Sequence, residues 1–124
     1  MTRGLLLFAH GARDPAWARP FEAIARRVRD DAPGVAVSLA YLEFMTPGLI
    51  EAGSELVRSG CLRVDVLPLF LGAGGHVRKD LPALLEQLRR EHPGVRWELR
   101  PAVGEDDAVI AAMAAWAMRS TTAP

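Results

Sequence analysis

A chain of 124 residues with 50% hydrophobic and 24% charged side chains is long enough to bury one core without disulfide or metal staples. Its 15 basic residues balance its 15 acidic ones, so bulk charge offers no case for nucleic acid or a membrane surface as partner. The single cysteine, Cys61, excludes an intrachain disulfide and a cysteine metal cluster, and the N-terminal apolar run is too short for a signal or membrane-spanning segment, so a cytoplasmic protein is expected.

In chain order, "GLLLFA" (4–9) is a continuous apolar run ending in the turn "HGARDP", and reads as a buried strand. In the segment after it, Trp17, Phe21, Ile24 and Val28 recur at helical spacing, with Pro20 near the first turn and "APG" as the stop. "VAVSLAYLEF" (35–44) has the β-branched and aromatic content of a second strand. "TPGLIEAGSELVRSG" follows as a second helix, with Thr46 as N-cap, Pro47 at the first helical position and Gly60 at the end.

A third strand, "LRVDVLPLFL", is expected to end near Pro68. The turn "GAGGHVRKD" leads into a third helix with Leu81, Leu84, Leu85 and Leu88 as its apolar stripe and Pro82 in its first turn. "VRWEL" is a short fourth strand whose polar alternation suits a sheet edge. The last helix, "EDDAVIAAMAAWAMR", is acidic at its start and basic at its end, as the macrodipole favours, and residues 119–124 are expected to fray. The order β-α-β-α-β-α-β-α predicts a single α/β domain over residues 1–124: a four-stranded parallel sheet with helices on both faces, with right-handed crossovers.

Ligands of such sheets bind beyond the carboxyl ends of the strands. Three ionisable residues fall there: His10 after the first strand, Glu43 at the end of the second and His76 past the third. Singly each has a plain structural role, as a cap or a solvated loop carboxylate, and His92 in "REHPG" is best read as a helix C-terminal cation. Gathered on one rim, two neutral imidazoles form an open site for a borderline divalent ion, with a carboxylate to complete it or to accept a proton. Acid should suppress such a site, because imidazole binds metal only when neutral.

The glycine turn is not a nucleotide loop. "GAGGHV" puts Val77 where the dinucleotide fingerprint needs its last glycine or alanine, and no "GK[ST]" follows. Nor does the first turn suit a histidine phosphatase, because Ala9 stands where the phosphate-binding arginine would precede His10. The start of the third helix still attracts anions, with Arg78 and Lys79 in support, and Arg13 lies close to His10 in sequence.

"FAHGARDP", "YLEFMTP" and "LPLFLGAGGHVRKDLP", in that order, resemble the short form of the class II tetrapyrrole chelatases, the sirohydrochlorin chelatases of the CbiX and SirB type, over residues 5–99. The resemblance implies a chelatase-like, flavodoxin-type sandwich and insertion of Co2+, Fe2+ or Ni2+ into sirohydrochlorin or a close relative, for cobalamin or siroheme synthesis. The metal is then a substrate, with no cofactor held permanently. It further implies that His10 and His76 bind the metal, that Glu43 assists metal or proton transfer, and that Arg13, Gly74, Gly75, Arg78 and Lys79 serve the tetrapyrrole. Ala12 departs from the serine common in relatives, which removes a hydroxyl beside His10. Because larger chelatases contain two such halves, the resemblance implies a homodimer, with the last helix meeting the sheet on one side and a partner on the other. Leu42, Phe44 and Leu71 are candidates for contact with the ring face. The other reading is a metal or tetrapyrrole carrier that performs no insertion.

Overall fold

The computed structural model describes residues 3–72 and 74–122, without the side chains at 75, 76 and 78. Four parallel strands, β1 (Arg3–Ala9), β2 (Ala36–Tyr41), β3 (Arg63–Pro68) and β4 (Arg96–Leu99), lie in the order β2-β1-β3-β4. Helices α1 (Arg19–Asp31), α2 (Leu49–Arg58), α3 (Gly75–Glu91) and α4 (Asp107–Met118) follow the strands in turn.

Alternation along the strands sorts the two faces. Leu6 and Phe8 of β1, Val64 and Val66 of β3 and Trp97 of β4 point to one face and join Leu56, Leu81, Leu85 and Leu88 of α2 and α3 in the main core. The other face packs Ala9, Leu39 and Tyr41 against Ala18, Trp17 and Phe21 at the entry to α1, where the Trp17 and Phe21 rings stack 4.5 Å apart. Asp65, the one buried charged residue among those described, points to this second face, where Arg3 (3.2 Å) and Arg63 (3.4 Å) pair with its carboxylate. The strand order reverses between β1 and β3, which makes the carboxyl end of that strand pair the topological switch point.

Several boundaries differ from expectation. The second strand stops at Tyr41, because Phe44 adopts a left-handed backbone (φ 67°) that no strand accommodates, and residues 42–47 form a loop. Gly48, not Thr46, is the N-cap of α2, and Pro47 precedes the helix through a cis peptide bond. Pro82 lies inside α3, since the helix already begins at Gly75. The glycine turn therefore supplies the first helical turn, and the proline costs one interior hydrogen bond. Residues 119–121 form a 3-10 turn in place of a frayed tail, and Ala123 and Pro124 lie outside the described residues.

The largest departure is α4. It neither meets the sheet nor is enclosed: none of its residues is buried, and Ile110, Met113, Trp116 and Met118 are all exposed. The side chain of Asp106 caps its start, accepting from the backbone N–H of Ala108 and Val109. His92 follows α3 as its C-cap and joins the Ser54 hydroxyl of α2 at 3.0 Å, tying two helices together.

Candidate metal and tetrapyrrole site

Three loops meet beyond the carboxyl ends of β1, β2 and β3. β1 ends at Ala9, and His10 follows it directly. The backbone N–H of Leu42 donates to Ala9 O (2.9 Å) and that of Glu43 to His10 O (3.1 Å), so the pairing of β1 with β2 continues past both strands. Gly11 makes this approach possible. It sits at φ 91°, where side-chain-bearing residues are strained, and a Cβ there would overlap the carbonyl oxygen of Glu43.

That backbone contact sets two functional groups face to face: His10 Nε2 lies 2.9 Å from Glu43 Oε1. Both side chains are roughly two-fifths exposed, so the pair is open to solvent and to ligand. Paired with an ionised carboxylate, which only accepts, a neutral imidazole carries its proton on Nε2. From the other side, the His10 ring meets Phe70 edge-on (6.2 Å between centroids), and Phe70 in turn meets Phe8 (5.8 Å). Phe70 lies two residues before Gly72, so His10 leans toward the glycine turn.

His76 stands in the first turn of α3, past β3 on the far side of the switch point; its side chain, like that of Arg78, lies outside the described residues. Among the described residues, no group of three His, Cys, Asp or Glu side chains is clustered for a metal. Gly74 is the extended N-cap of α3 and Gly75 its first residue, while Lys79 is exposed one turn on. Arg13 is exposed beside His10, with its guanidinium 4.8 Å from the centre of the Phe44 ring.

Phe44 and Leu71 are 58% and 62% exposed on this rim, whereas Leu42 packs on the main core. An open cleft of about 460 Å³, lined among others by Phe70, Leu71, Val77, Leu81 and Ala102, adjoins the glycine turn. Two of its lining residues take part in another tight approach, in which Gly104 donates its N–H to Phe70 O (3.0 Å) and leaves no room for a Cβ against Leu71. The Tyr41 phenol, at the end of β2, is held above the usual tyrosine range by burial, with Glu22 adding to the effect, and stays neutral near pH 7.

The sequence reading did not single out Gly11 or Gly104. Gly11 left a signal, a glycine directly after a strand-end histidine. Gly104 left none, since its contact depends on a loop more than thirty residues away. The role of Phe44 is testable by itself. A left-handed phenylalanine costs about 1–2 kcal/mol, and its stacked arginine returns only about 0.5–1 kcal/mol at an exposed site. Phe44→Gly should therefore unfold at equal or higher denaturant concentration than wild type while losing affinity for a flat aromatic ligand several-fold, as denaturant titration and ligand absorbance would report.

The CbiX family model matches residues 4–119. The sirohydrochlorin cobaltochelatase of Sulfurisphaera tokodaii is 28% identical over 109 residues, which cover 86% of this chain and 83% of that protein. That of Methanocaldococcus jannaschii is 30% identical over 88 residues, 71% of this chain and 62% of the relative. The crystal structure of a CbiX protein from Marinobacter aquaeolei VT8 superposes with a TM-score of 0.84 at 32% identity, covering 97% of this chain and 98% of the other. SirB from Bacillus subtilis, solved with Fe3+, has the same fold (TM-score 0.84, 22% identity), and this chain spans 49% of its length. With the family match and the superposition in agreement, the chain belongs to the CbiX family.

Proposed function

We propose that this chain inserts a divalent metal into sirohydrochlorin or a closely related tetrapyrrole, with Co2+ as the first candidate and Fe2+ and Ni2+ as alternatives. The observation that carries the reading is the His10–Glu43 pair, held at the switch point by the Gly11 approach and facing the glycine turn. The relatives named sirohydrochlorin cobaltochelatase favour cobalt, and SirB crystallised with iron and with cobalt keeps iron in play.

In this reading the metal arrives on His10, with His76 as second donor from the start of α3. Two protein nitrogens leave most coordination positions open, which suits an ion that must be handed on. The macrocycle lies along the rim with its ring face toward Phe44 and Leu71, and its carboxylates toward Arg13, Arg78 and Lys79. The glycines at 74 and 75 keep the backbone clear of it. Metallation releases two pyrrole N–H protons, and the Glu43 carboxylate is the base beside the metal histidine. One chain offers one rim, so a second copy covers the opposite ring face in a homodimer. We place the reaction in the cytoplasm, where the buried free thiol of Cys61 stays reduced.

Glu43→Gln separates the two roles of the carboxylate. The amide oxygen still accepts from His10 Nε2–H, so Co2+ affinity should stay within about threefold, while loss of the base should slow insertion about 100-fold. Co2+ titration with single-turnover absorbance checks both halves. The function itself is tested by anaerobic insertion assays with sirohydrochlorin and each of Co2+, Fe2+ and Ni2+. The highest rate is expected with Co2+, and failure with all three ions would overturn the proposal.

A further inference from the structure

The proposed metal site draws on the ends of β1 and β2 and on the start of α3. β4 runs parallel to the other strands and ends on the same rim, at Leu99, so the residue after it belongs to the same edge. That residue is Arg100. Its backbone is held: the Arg100 N–H donates to Val66 O (2.9 Å), which extends the pairing of β3 with β4, and Pro101 restricts the chain immediately after it.

The fold makes no use of its guanidinium. Arg96 pairs with Glu98 (2.9 Å) and Arg63 with Asp65 (3.4 Å). Arg100 is exposed, and its side chain makes no ion pair or hydrogen bond among the described residues. It stands instead on the open cleft of about 460 Å³ beside the glycine turn, a volume within the roughly 300–1,000 Å³ of small-molecule sites. Leu71, Val77, Leu81 and Leu99 give that cleft an apolar wall, and Glu105 is the other charged residue lining it. Leu71 and Leu99 are 62% and 38% exposed, so part of the wall is uncovered.

Two contacts place the cleft in register with the metal side of the rim. Phe70 lines it, and the Phe70 ring is the one that meets His10 edge-on at 6.2 Å. At the other end of the rim, Arg13 stacks on Phe44 beyond β2. β2 and β4 are the two edge strands, three strand spacings apart, or about 14 Å at about 4.8 Å each. His10, after β1, lies between them. A flat macrocycle centred near His10 therefore meets apolar surface and a guanidinium toward both edges.

We infer that this cleft seats one edge of the tetrapyrrole, with Arg100 pairing a peripheral carboxylate of that edge. Arg100 is thus a specificity-determining residue that favours macrocycles acidic at this position. Glu105 forms no ion pair with it, so the guanidinium keeps its donors for the ligand, while the Glu105 charge opposes a carboxylate in the cleft. The inference rests on the tetrapyrrole reading of the site and extends it to the end of β4.

Absorbance titration of metal-free sirohydrochlorin tests it without any insertion step. Arg100→Ala should weaken binding about tenfold or more, the loss expected for a charge-assisted hydrogen bond. Arg100→Glu should weaken it further, Arg100→Lys should stay within about threefold of wild type, and Glu105→Gln should bind more tightly. The methyl ester of sirohydrochlorin, its carboxylates blocked, should bind wild type and Arg100→Ala alike. In insertion assays Arg100→Ala should raise KM for the tetrapyrrole and leave kcat and the apparent KM for Co2+ unchanged. Arg100→Ala that binds as wild type, Arg100→Lys as weak as Arg100→Ala, or an equal loss with the ester would each overturn the inference, as would a wild type that does not bind sirohydrochlorin. A wild type that binds through Arg100 but inserts no metal would overturn the proposed function and leave this inference standing.

Discussion

His10→Ala should abolish metal insertion at limiting metal, with a rate loss greater than about 100-fold. Removal of an outer-shell partner of a metal ligand typically costs about 10–100-fold, and this change removes the proposed ligand itself. It also leaves Glu43 without the imidazole 2.9 Å away, so the carboxylate relaxes into solvent. The fold should be little affected, because His10 lies outside β1 and is partly exposed, although the edge contact with Phe70 is lost. Excess metal should restore part of the rate if the ion then reaches the macrocycle without a protein donor. Initial rates across a range of Co2+ concentrations would show the loss as a rise in apparent KM for metal. Unchanged rates at limiting metal would remove His10 from the site.

Gly11→Ala should be nearly as damaging to activity and more damaging to stability. The left-handed backbone costs an alanine about 1–2 kcal/mol. The overlap of its Cβ with the Glu43 carbonyl then forces the 42–47 loop away from the end of β1. The hydrogen bond from Glu43 N–H to His10 O goes with it, and so does the facing of the two side chains. Misplacement of a catalytic group by about 1 Å is enough for a loss of about 100-fold. Denaturant titration should show at least about 2 kcal/mol of destabilisation, and insertion assays a fall in kcat that added metal does not rescue. That last point separates it from His10→Ala. Alanine tolerated at position 11 with full activity would show that the two loops need not touch.

Much of this architecture is legible in the sequence because local patterns and the global fold agree. The apolar runs of β1 and β3 and the leucine stripe of α3 each satisfy one period, and the alternation of strands and helices leaves a parallel sheet as their natural arrangement. The rim residues follow from that order, since any group just past a parallel strand reaches the same edge. What escaped the sequence reading depends on contacts rather than pattern. Nothing about phenylalanine advertises a left-handed backbone, so the strand-like pattern runs on to Phe44, past the end of β2 at Tyr41. Pro82 marks a first turn only by statistics, and α3 begins seven residues earlier because the glycine-turn residues already take helical conformation. The pose of α4 is the clearest case. Its composition suits a buried helix, yet none of its residues is buried, and no periodicity within the helix foretells that exposure.

Turnover tests the central claim most directly, because it distinguishes an enzyme from a carrier that merely holds metal or tetrapyrrole. With the chain at one-hundredth the concentration of sirohydrochlorin and Co2+ in excess, visible absorbance should report many equivalents of metallated product per chain, above the uncatalysed rate. Product that stops at one equivalent per chain, or that forms no faster than without protein, would contradict it.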